Sequence, residues 1–545
     1  MIDSFTLRTE DLTIEEIEKY YVDTKIDRDN INFLKSNVTG LLMGSRGTGK
    51  TMLLRKAEKE LLDEFDNTRI LPVFISFSSA ALVENQEDKF KKWMLSKILF
   101  ALQAQLSKKG LLKTKNIFSL LLGIDNEQTD ELANHMNTLI ANLERSWKNS
   151  DNYEVGELST FVEDIDYFKQ LIEEICERLN ILHIILLFDE ACHNFLPKQQ
   201  REFFTMFRDL RNAKIYCKAA VYPGVTSYGT FEVFHDSIVK RVEKDILADD
   251  YIEKMRDIIE KQVETSKYTM LKSQGELLNS LINASTGNPR ILLKSVYGAT
   301  EKLQSFKKTN VNSTLKDFYR TQMWNEYTKL GEKFSEYKEI IDWGRSFVEE
   351  KLLVETNNKN NRFDKEEDYD KTTIYFIIQK DAPEIVKKAI SILEYSGIVM
   401  LHTEGYKMHK NIYNRYQINL GIVAASTNET DLATYINKIK NNLSIKIVTE
   451  YSANSSAFFQ ANRIANNIDF KNVGIDLKKL LEKDIDILEI YEYQKEKLKN
   501  AGFCKLSDIV SASEEELTRA YLIGPKRARN ISNVAMHAVL EYIVG

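Results

Sequence analysis

Two short stretches of the chain carry residue types that handle phosphate. Residues 44–51 read GSRGTGKT, in the spacing GxxxxGK[ST]. Gly44, Gly47 and Gly49 let the backbone turn tightly and aim N–H groups at phosphate oxygens, with Ser45, Arg46 and Thr48 completing the loop. Lys50 is expected to reach the β- and γ-phosphates of ATP, and the Thr51 hydroxyl to ligate Mg²⁺. The second stretch, ILHIILLFDE at residues 181–190, ends in Asp189 and Glu190. Asp189 suits holding Mg²⁺ through its water shell, and Glu190 suits polarising an attacking water. A glycine loop of this pattern arises by chance in about one chain in a hundred of this length, and less often with the right flanks. The pair therefore points to ATP and Mg²⁺ as cofactors and to ATP hydrolysis. Taken alone, the second stretch also reads as a buried strand ending in solvated acids.

These residues can act only if the elements around them bring them together. Leu41, Leu42 and Met43 form a short apolar strand into the loop, and MLLRKAEKELLDEF continues out of it with a helical period. A helix beginning near Lys50 adds its positive end to the site. The unbroken apolar run before Asp189 suits a strand buried on both faces of a parallel sheet, whose C-terminal end is where ligands sit. Further strands are expected at Leu71–Phe77, at Ile215–Val221 and around Val242–Leu247. Alternating with helices, they predict an α/β fold, a doubly wound parallel P-loop sheet with helices on both faces. The span from Lys50 to Asp189 exceeds what such a core needs. The excess, a helical insertion at about 85–165, contains FKKWMLSKILFALQAQL and ELANHMNTLIANLERSW, both amphipathic. It reads either as a partner-binding element or as a helical outgrowth.

Composition narrows the class. At 545 residues the chain is too long for one core, and 43% apolar with 29% charged residues is ordinary for a globular protein. No apolar run approaches the roughly 20 residues that span a bilayer, and the N-terminus lacks an apolar signal region, so a cytoplasmic protein without membrane contact is expected. Four scattered cysteines form no CxxC pair, which fits a reducing compartment without disulfides or zinc. A net charge of −6 means that any nucleic-acid contact must come from local patches.

With GSRGTGKT and LLFDE in place, two arginines complete a pattern. Arg241 stands shortly before an expected strand and an acidic, aromatic segment, and Arg290 closes the GNPR of residues 287–290. On these motifs, residues 30–300 resemble the AAA+ ATPases of the initiator clade, which includes the origin-recognition ATPases, with a weaker continuation to about 420. The resemblance implies that Arg241 reaches a neighbour's γ-phosphate across a subunit boundary, and that Arg290 senses the γ-phosphate from the lid of its own subunit. It thus implies a homo-oligomer with ATP at subunit interfaces. A guanidinium suits both roles, since it stabilises phosphoryl charge without proton chemistry. A surface ion pair for Arg241 and a helix-capping turn for GNPR are the alternatives. The polar phosphate sensor expected at the end of the strand after Asp189–Glu190 is not obvious, with Tyr222 and Thr226 as candidates.

The chain divides accordingly into an ATPase core (1–248), a helical lid (249–315), a winged helix (316–425), a connecting segment (426–480) and a helix-hairpin-helix piece (481–545). ETNNKNNRFDKEEDYDK at 355–371 reads as an exposed loop. After it, a helix at Pro383–Tyr395, a strand at Ile398–His402, a turn at Gly405 and a strand at Ile412–Ile418 have winged-helix logic, and initiator ATPases carry one in this position. Tyr406, Lys407, His409 and Lys410 would make a cationic tip, and Lys387 and Lys388 decorate the preceding helix. The C-terminal KLKNAGFCKLSDIVSASEEELTRAYLIGPKRARNI resembles tandem helix-hairpin-helix modules, with a helix start at Lys505–Ile509 and Ser513 as N-cap. By that resemblance the tight hairpin at Ile523–Gly524–Pro525 would offer backbone N–H groups to a phosphate, flanked by Lys526, Arg527 and Arg529. Leu522 replaces the first of the motif's two glycines, a loss that some members pair with protein binding.

The leading expectation is an ATP-switched AAA+ protein that binds DNA, the nucleotide state controlling DNA engagement and assembly. The alternative is an ATP-regulated scaffold for a protein effector, in bacterial defence or mobile-element control. No helicase motif series and no second substrate constellation is present.

Overall fold

The computed structural model describes residues 12–77, 87–112, 137–138, 140–141, 164–194, 197–301, 306–334, 337–362, 371–408, 410–467 and 480–543. The chain forms two compact units that divide after Val242.

In the first unit, β1 (Gly40–Met43), β2 (Ile70–Ser76), β3 (His183–Asp189), β4 (Ile215–Val221) and β5 (Ile238–Arg241) make one parallel sheet in the order β2-β3-β4-β1-β5. Its helices are α1 (Ile14–Tyr20), α2 (Lys25–Leu34), α3 (Lys50–Thr68), α4 (Glu87–Lys108), α5 (Ile165–Arg178) and α6 (Pro197–Asp209). β3 is buried throughout, as an unbroken apolar strand must be, and its alternate side chains feed two cores. Ile185 and Leu187 pack with Leu42 of β1, Leu53 and Leu61 of α3, and Ile17 and Ile31 of α1 and α2. Phe188 points the other way, 5.8 Å from Phe77 and 5.3 Å from Phe203 of α6, with Trp93 of α4 5.4 Å from Phe77. Helices on both faces make this the doubly wound α/β fold that the sequence predicts. The helix expected at FKKWMLSKILFALQAQL is part of α4, whereas ELANHMNTLIANLERSW lies almost wholly outside the described residues.

The strand expected around Val242–Leu247 is displaced. The chain pairs with β1 earlier, at Ile238–Arg241, and is irregular after Val242. As an edge strand β5 is only half-buried, so IVKR lacks an apolar signature, while Val242 and Ile246 are buried from non-strand positions.

The second unit opens with four helices, α7 (Tyr251–Gln262), α8 (Thr265–Ser273), α9 (Gly275–Ser285) and α10 (Pro289–Glu301). Helices α11 (Lys308–Asp317) and α12 (Met323–Thr328) flank a π-helical turn at Phe318–Gln322. A second such turn, Val348–Leu352, joins α13 (Lys338–Phe347) to α14 (Leu353–Arg362). Then come β6 (Tyr375–Gln379), α15 (Glu384–Tyr395), β7 (Val399–Met408) and β8 (Asn411–Ile418), a winged-helix arrangement. Helices α16 (Leu420–Ala425) and α17 (Leu432–Asn441) follow. The segment after 426 then returns to this sheet as β9 (Thr449–Tyr451), parallel to β6, and continues into α18 (Phe459–Asn467).

Two expectations are corrected here. The loop predicted at 355–371 is helical as far as Arg362, because its polar residues serve the interior. Asn360 exchanges hydrogen bonds with the Thr373 backbone (2.8 and 2.9 Å), and Lys359 donates to the Val448 carbonyl at 2.7 Å. The wing turn is not at Gly405 either. Strand β7 runs on past it to Met408, which pairs with Asn411 as Lys407 pairs with Ile412. Gly405, at φ 65°, occupies an irregularity within the strand.

The C-terminal piece forms two helical hairpins, α19 (Glu492–Asn500) with α20 (Leu506–Ser511) and α21 (Glu514–Leu517) with α22 (Pro525–Ile543). They share a core of Leu498, Leu506, Ile509, Leu517, Ile523 and Ile531. Ser513 caps α21, accepting from Glu516 N at 3.2 Å while Glu516 accepts from Ser513 N at 2.8 Å.

Candidate nucleotide-binding site

The glycine loop leaves the C-terminal end of β1, which lies between β4 and β5. Gly44 N donates to Val221 O at the end of β4 (3.4 Å), and Thr48 Oγ1 donates to Ser45 O at 3.0 Å. Gly47 and Gly49 have φ of 87° and 96°, a conformation that side chains disfavour, whereas Gly44 needs no positive φ. Gly49 is the N-cap of the 19-residue α3 and gives it no capping side chain, and the first turn holds no acidic residue. The N–H groups and positive end of a long helix thus converge on the loop, a setting suited to an anion.

Lys50, only 4% exposed, turns its ammonium back over the loop. Its Nζ donates to the carbonyls of Gly44 (2.7 Å) and Ser45 (2.9 Å) and lies 3.7 Å from the ring centroid of Tyr222. Tyr222 directly follows β4. The other sensor candidate, Thr226, is bound to its backbone: Thr226 Oγ1 donates to Tyr222 O at 2.7 Å and accepts from Tyr222 N at 3.1 Å. That hydroxyl's proton is spent on local structure.

Asp189 ends β3, paired with Ser76, and is buried. Glu190 follows with φ 63°, a left-handed conformation costing a non-glycine residue about 1–2 kcal/mol. Backbone strain of this kind clusters at working sites. Cys192 registers how close these charges lie. Burial pushes its thiol up to about 12, while Thr226 and the Lys50 charge act to lower it and Glu190 and Asp189 to raise it. The donor set fits a Mg²⁺-bound triphosphate. A Mg²⁺ here would be held by one or two protein oxygens together with phosphate, as Mg²⁺ commonly is.

Arg241 ends β5 opposite Met43, the residue before the loop, and its carbonyl accepts from the buried Asn30 at 3.1 Å. It therefore stands on the strand beside its own P-loop. Neither Asn30 nor α2 was singled out by sequence, since one buried amide leaves no periodic signal.

Arg290 belongs to the second unit, at the start of α10. Asn288 caps that helix through Oδ1, accepting from Arg290 N (3.1 Å) and Ile291 N (3.2 Å), with Pro289 as first helical residue. Gly287, at φ 81°, would place a Cβ 2.6 Å from Lys244 O, and its N–H donates to the buried Tyr251 hydroxyl at 2.9 Å. The GNPR turn is thus a helix cap, and within the described residues no hydrogen bond or ion pair occupies the Arg290 guanidinium.

The cations expected to meet DNA divide into two sets. Lys407 and Lys410 are exposed at the wing, and Gly524, Lys526 and Arg527 at the second hairpin. Lys526 lies 3.6 Å from Asp381, and Arg527 donates to Leu522 O at 2.6 Å. The others serve internal contacts. Lys387 pairs with Glu384 at 2.8 Å, and Lys388 lies 4.6 Å from the ring centre of Tyr337. Arg529 clasps Glu514 at 3.0 and 2.9 Å and also bonds Asn454. Sequence shows a cation's type but not the carboxylate that folding brings to it. Leu522, in place of the hairpin's first glycine, has φ 65°, so the turn keeps a glycine-like backbone without a glycine.

No helix among the described residues is long and apolar enough to cross a membrane. No curated protein matches the chain. Solved structures that it resembles include the Aeropyrum pernix ORC1 protein in complex with DNA, at 12% identity and a TM-score of 0.31, covering 76% of this chain and 96% of that one. Another is the Aeropyrum pernix ORC2 protein in ADPNP–ADP complexes, at 12% identity and a TM-score of 0.32, covering 81% and 98%. At that level neither likeness carries weight. A family model does: the ORC-CDC6-like model matches residues 5–397, well over half of the chain. The chain belongs to the ORC-CDC6-like family of AAA+ proteins.

Proposed function

We propose that this protein is an ATP-dependent switch that engages DNA, its nucleotide site formed by the P-loop and the end of β3. The observation that carries the reading is the convergence of a buried Lys50, the uncapped start of α3, Asp189 and a strained Glu190 at one end of the sheet. In this reading Lys50 and the amides of the loop Gly44–Thr51 bind the phosphates, while Thr51 and Asp189 hold Mg²⁺. When bound, Mg²⁺ neutralises phosphate charge and orients the terminal phosphoryl group. Glu190 orients water for hydrolysis, and Arg290 reports the γ-phosphate to the lid. Arg241 acts at a subunit interface of a homo-oligomer, with its backbone position fixed by Asn30. The exposed Lys407, Lys410, Lys526 and Arg527, with the Gly524 amide, contact DNA phosphates. The C-terminal hairpins act there as a helix-hairpin-helix module.

Titration with ATP and Mg²⁺, followed by a phosphate-release assay, tests the nucleotide site. Lys50→Ala should abolish binding, while Glu190→Gln should bind ATP and fail to hydrolyse it. Hydrolysis that survives both changes would place the activity elsewhere.

One observation favours a second reading, in which ATP controls a scaffold for a protein effector. Tyr491, Tyr521 and Leu522 are 73%, 73% and 54% exposed at the C-terminal hairpins, and Tyr491 stacks on Tyr493 at 5.9 Å. Exposed aromatic and apolar groups of this kind suit a protein contact. A partner that co-purifies through nuclease treatment and is lost on Tyr521→Ser with Leu522→Ser would favour this reading.

A further inference from the structure

We infer that Tyr222 is a positioning residue for Lys50, and that the face of its ring, rather than its hydroxyl, is the working part. The inference rests on the nucleotide-site reading above and concerns how that site keeps its lysine in place. An ammonium that is 4% exposed has lost nearly all of its water. Two carbonyls, Gly44 O and Ser45 O, replace part of the lost hydration. The Tyr222 ring, 3.7 Å from Nζ, supplies a third, electron-rich surface.

The difference between these partners matters for catalysis. Phosphate oxygens must compete with the two carbonyls for the same N–H donors. A ring face accepts no strong hydrogen bond, so it can stay against the ammonium while those donors are re-aimed. Position then explains chemistry. Tyr222 directly follows β4, where the fold family is expected to place a polar phosphate sensor. Here the polar candidate nearby, Thr226, has its hydroxyl bound to the Tyr222 backbone and thereby fixes the residue that carries the ring. Thr226 thus acts one step further out, holding Tyr222 as Tyr222 holds Lys50.

The test separates ring from hydroxyl. ATP affinity is measured for the wild type, Tyr222→Phe, Tyr222→Leu and a protein with a multiply fluorinated phenylalanine at position 222. The fluorinated ring keeps the aromatic shape and loses its negative face, so it guards against a Leu variant that fails to fold. Tyr222→Phe should stay within about twofold of wild type, whereas the Leu and fluorinated proteins should bind ATP about tenfold more weakly, the scale of a desolvated cation–π contact. Rescue by Tyr222→Phe but not by the fluorinated ring is a pattern that a purely structural role of the side chain would not give. Tyr222→Phe as weak as Tyr222→Leu would assign the role to the hydroxyl and overturn the inference. Full affinity in the fluorinated protein would also overturn it. A wild type that binds no ATP would instead overturn the nucleotide-site reading, and this inference with it.

Discussion

Replacing Lys218 with methionine should stabilise the first unit at neutral pH, although it deletes two hydrogen bonds. Lys218 is fully buried at the centre of β4, opposite Gly40, and its Nζ donates to Phe33 O at 2.8 Å and Ser36 Oγ at 3.3 Å. Burial lowers its pKa to about 7 from the ordinary lysine value of about 10.5, with the Cys217 thiol acting against the fall. That depression corresponds to roughly 5 kcal/mol, an upper bound because the carbonyl end of α2 favours the charge. Losing the two hydrogen bonds costs about 1–1.5 kcal/mol each. The net gain at pH 7 is then about 2 kcal/mol, or several degrees in Tm. The sign with pH follows from proton binding. Between about pH 7 and 10.5 the unfolded chain holds the proton that the folded chain has lost, so wild-type stability rises with pH. The penalty is complete below pH 7 and relieved by pH 10.5. Calorimetric melting of both proteins from pH 6.5 to 10 reads both effects. The Lys218→Met advantage should be largest at low pH and shrink steadily toward pH 10. A methionine variant that melts below wild type at pH 7, or a difference that does not change with pH, would refute the reasoning.

Other consequences are as direct. Leu522→Gly should raise the stability of the C-terminal hairpins by about 1 kcal/mol, since glycine adopts φ 65° freely; amide exchange at Ile523 and Gly524 reports it. Gly49→Ala should abolish ATP binding without unfolding the chain. No atom crowds the added Cβ, but φ 96° is barred to alanine and the loop must change shape. Lys407→Ala and Lys410→Ala should each lower the slope of log DNA affinity against log salt by about 1. Arg529→Ala should leave that slope alone and instead destabilise the hairpin through loss of the Glu514 pair. Glu384, held down to about 2 despite burial by its bonds to His537 and Lys387, should contribute stability above pH 4.5 that is lost as pH falls toward 2. Thermal melts of wild type and Glu384→Gln across that range measure it.

Local signals made the nucleotide loop legible in the sequence. A strand, a glycine turn and a helix start are fixed by neighbouring residues, and the run before Asp189 suits a strand buried on both faces. What depends on partners far along the chain was not legible. Strand β5 has no apolar pattern because, among the described residues, only β1 pairs with it. ETNNKNNR looked like a loop because nothing nearby shows that Asn360 and Lys359 find their partners at Thr373 and Val448. Lys388 and Arg529 looked free for phosphate until folding brought them Tyr337 and Glu514. Tyr222 was visible as a residue after a strand, but its role beside Lys50 required the parallel pairing of β1 with β4.

Fluorescence anisotropy of a labelled duplex, recorded with ATP, with ADP and without nucleotide, tests the coupling of nucleotide to DNA most directly. Wild type should bind tightly and in a salt-sensitive manner only with ATP, and both Lys50→Ala and a chain ending before residue 480 should bind more weakly. Equal binding in all three nucleotide conditions, or none in any of them with ATP bound, would contradict the switch and leave the protein-effector scaffold as the better reading.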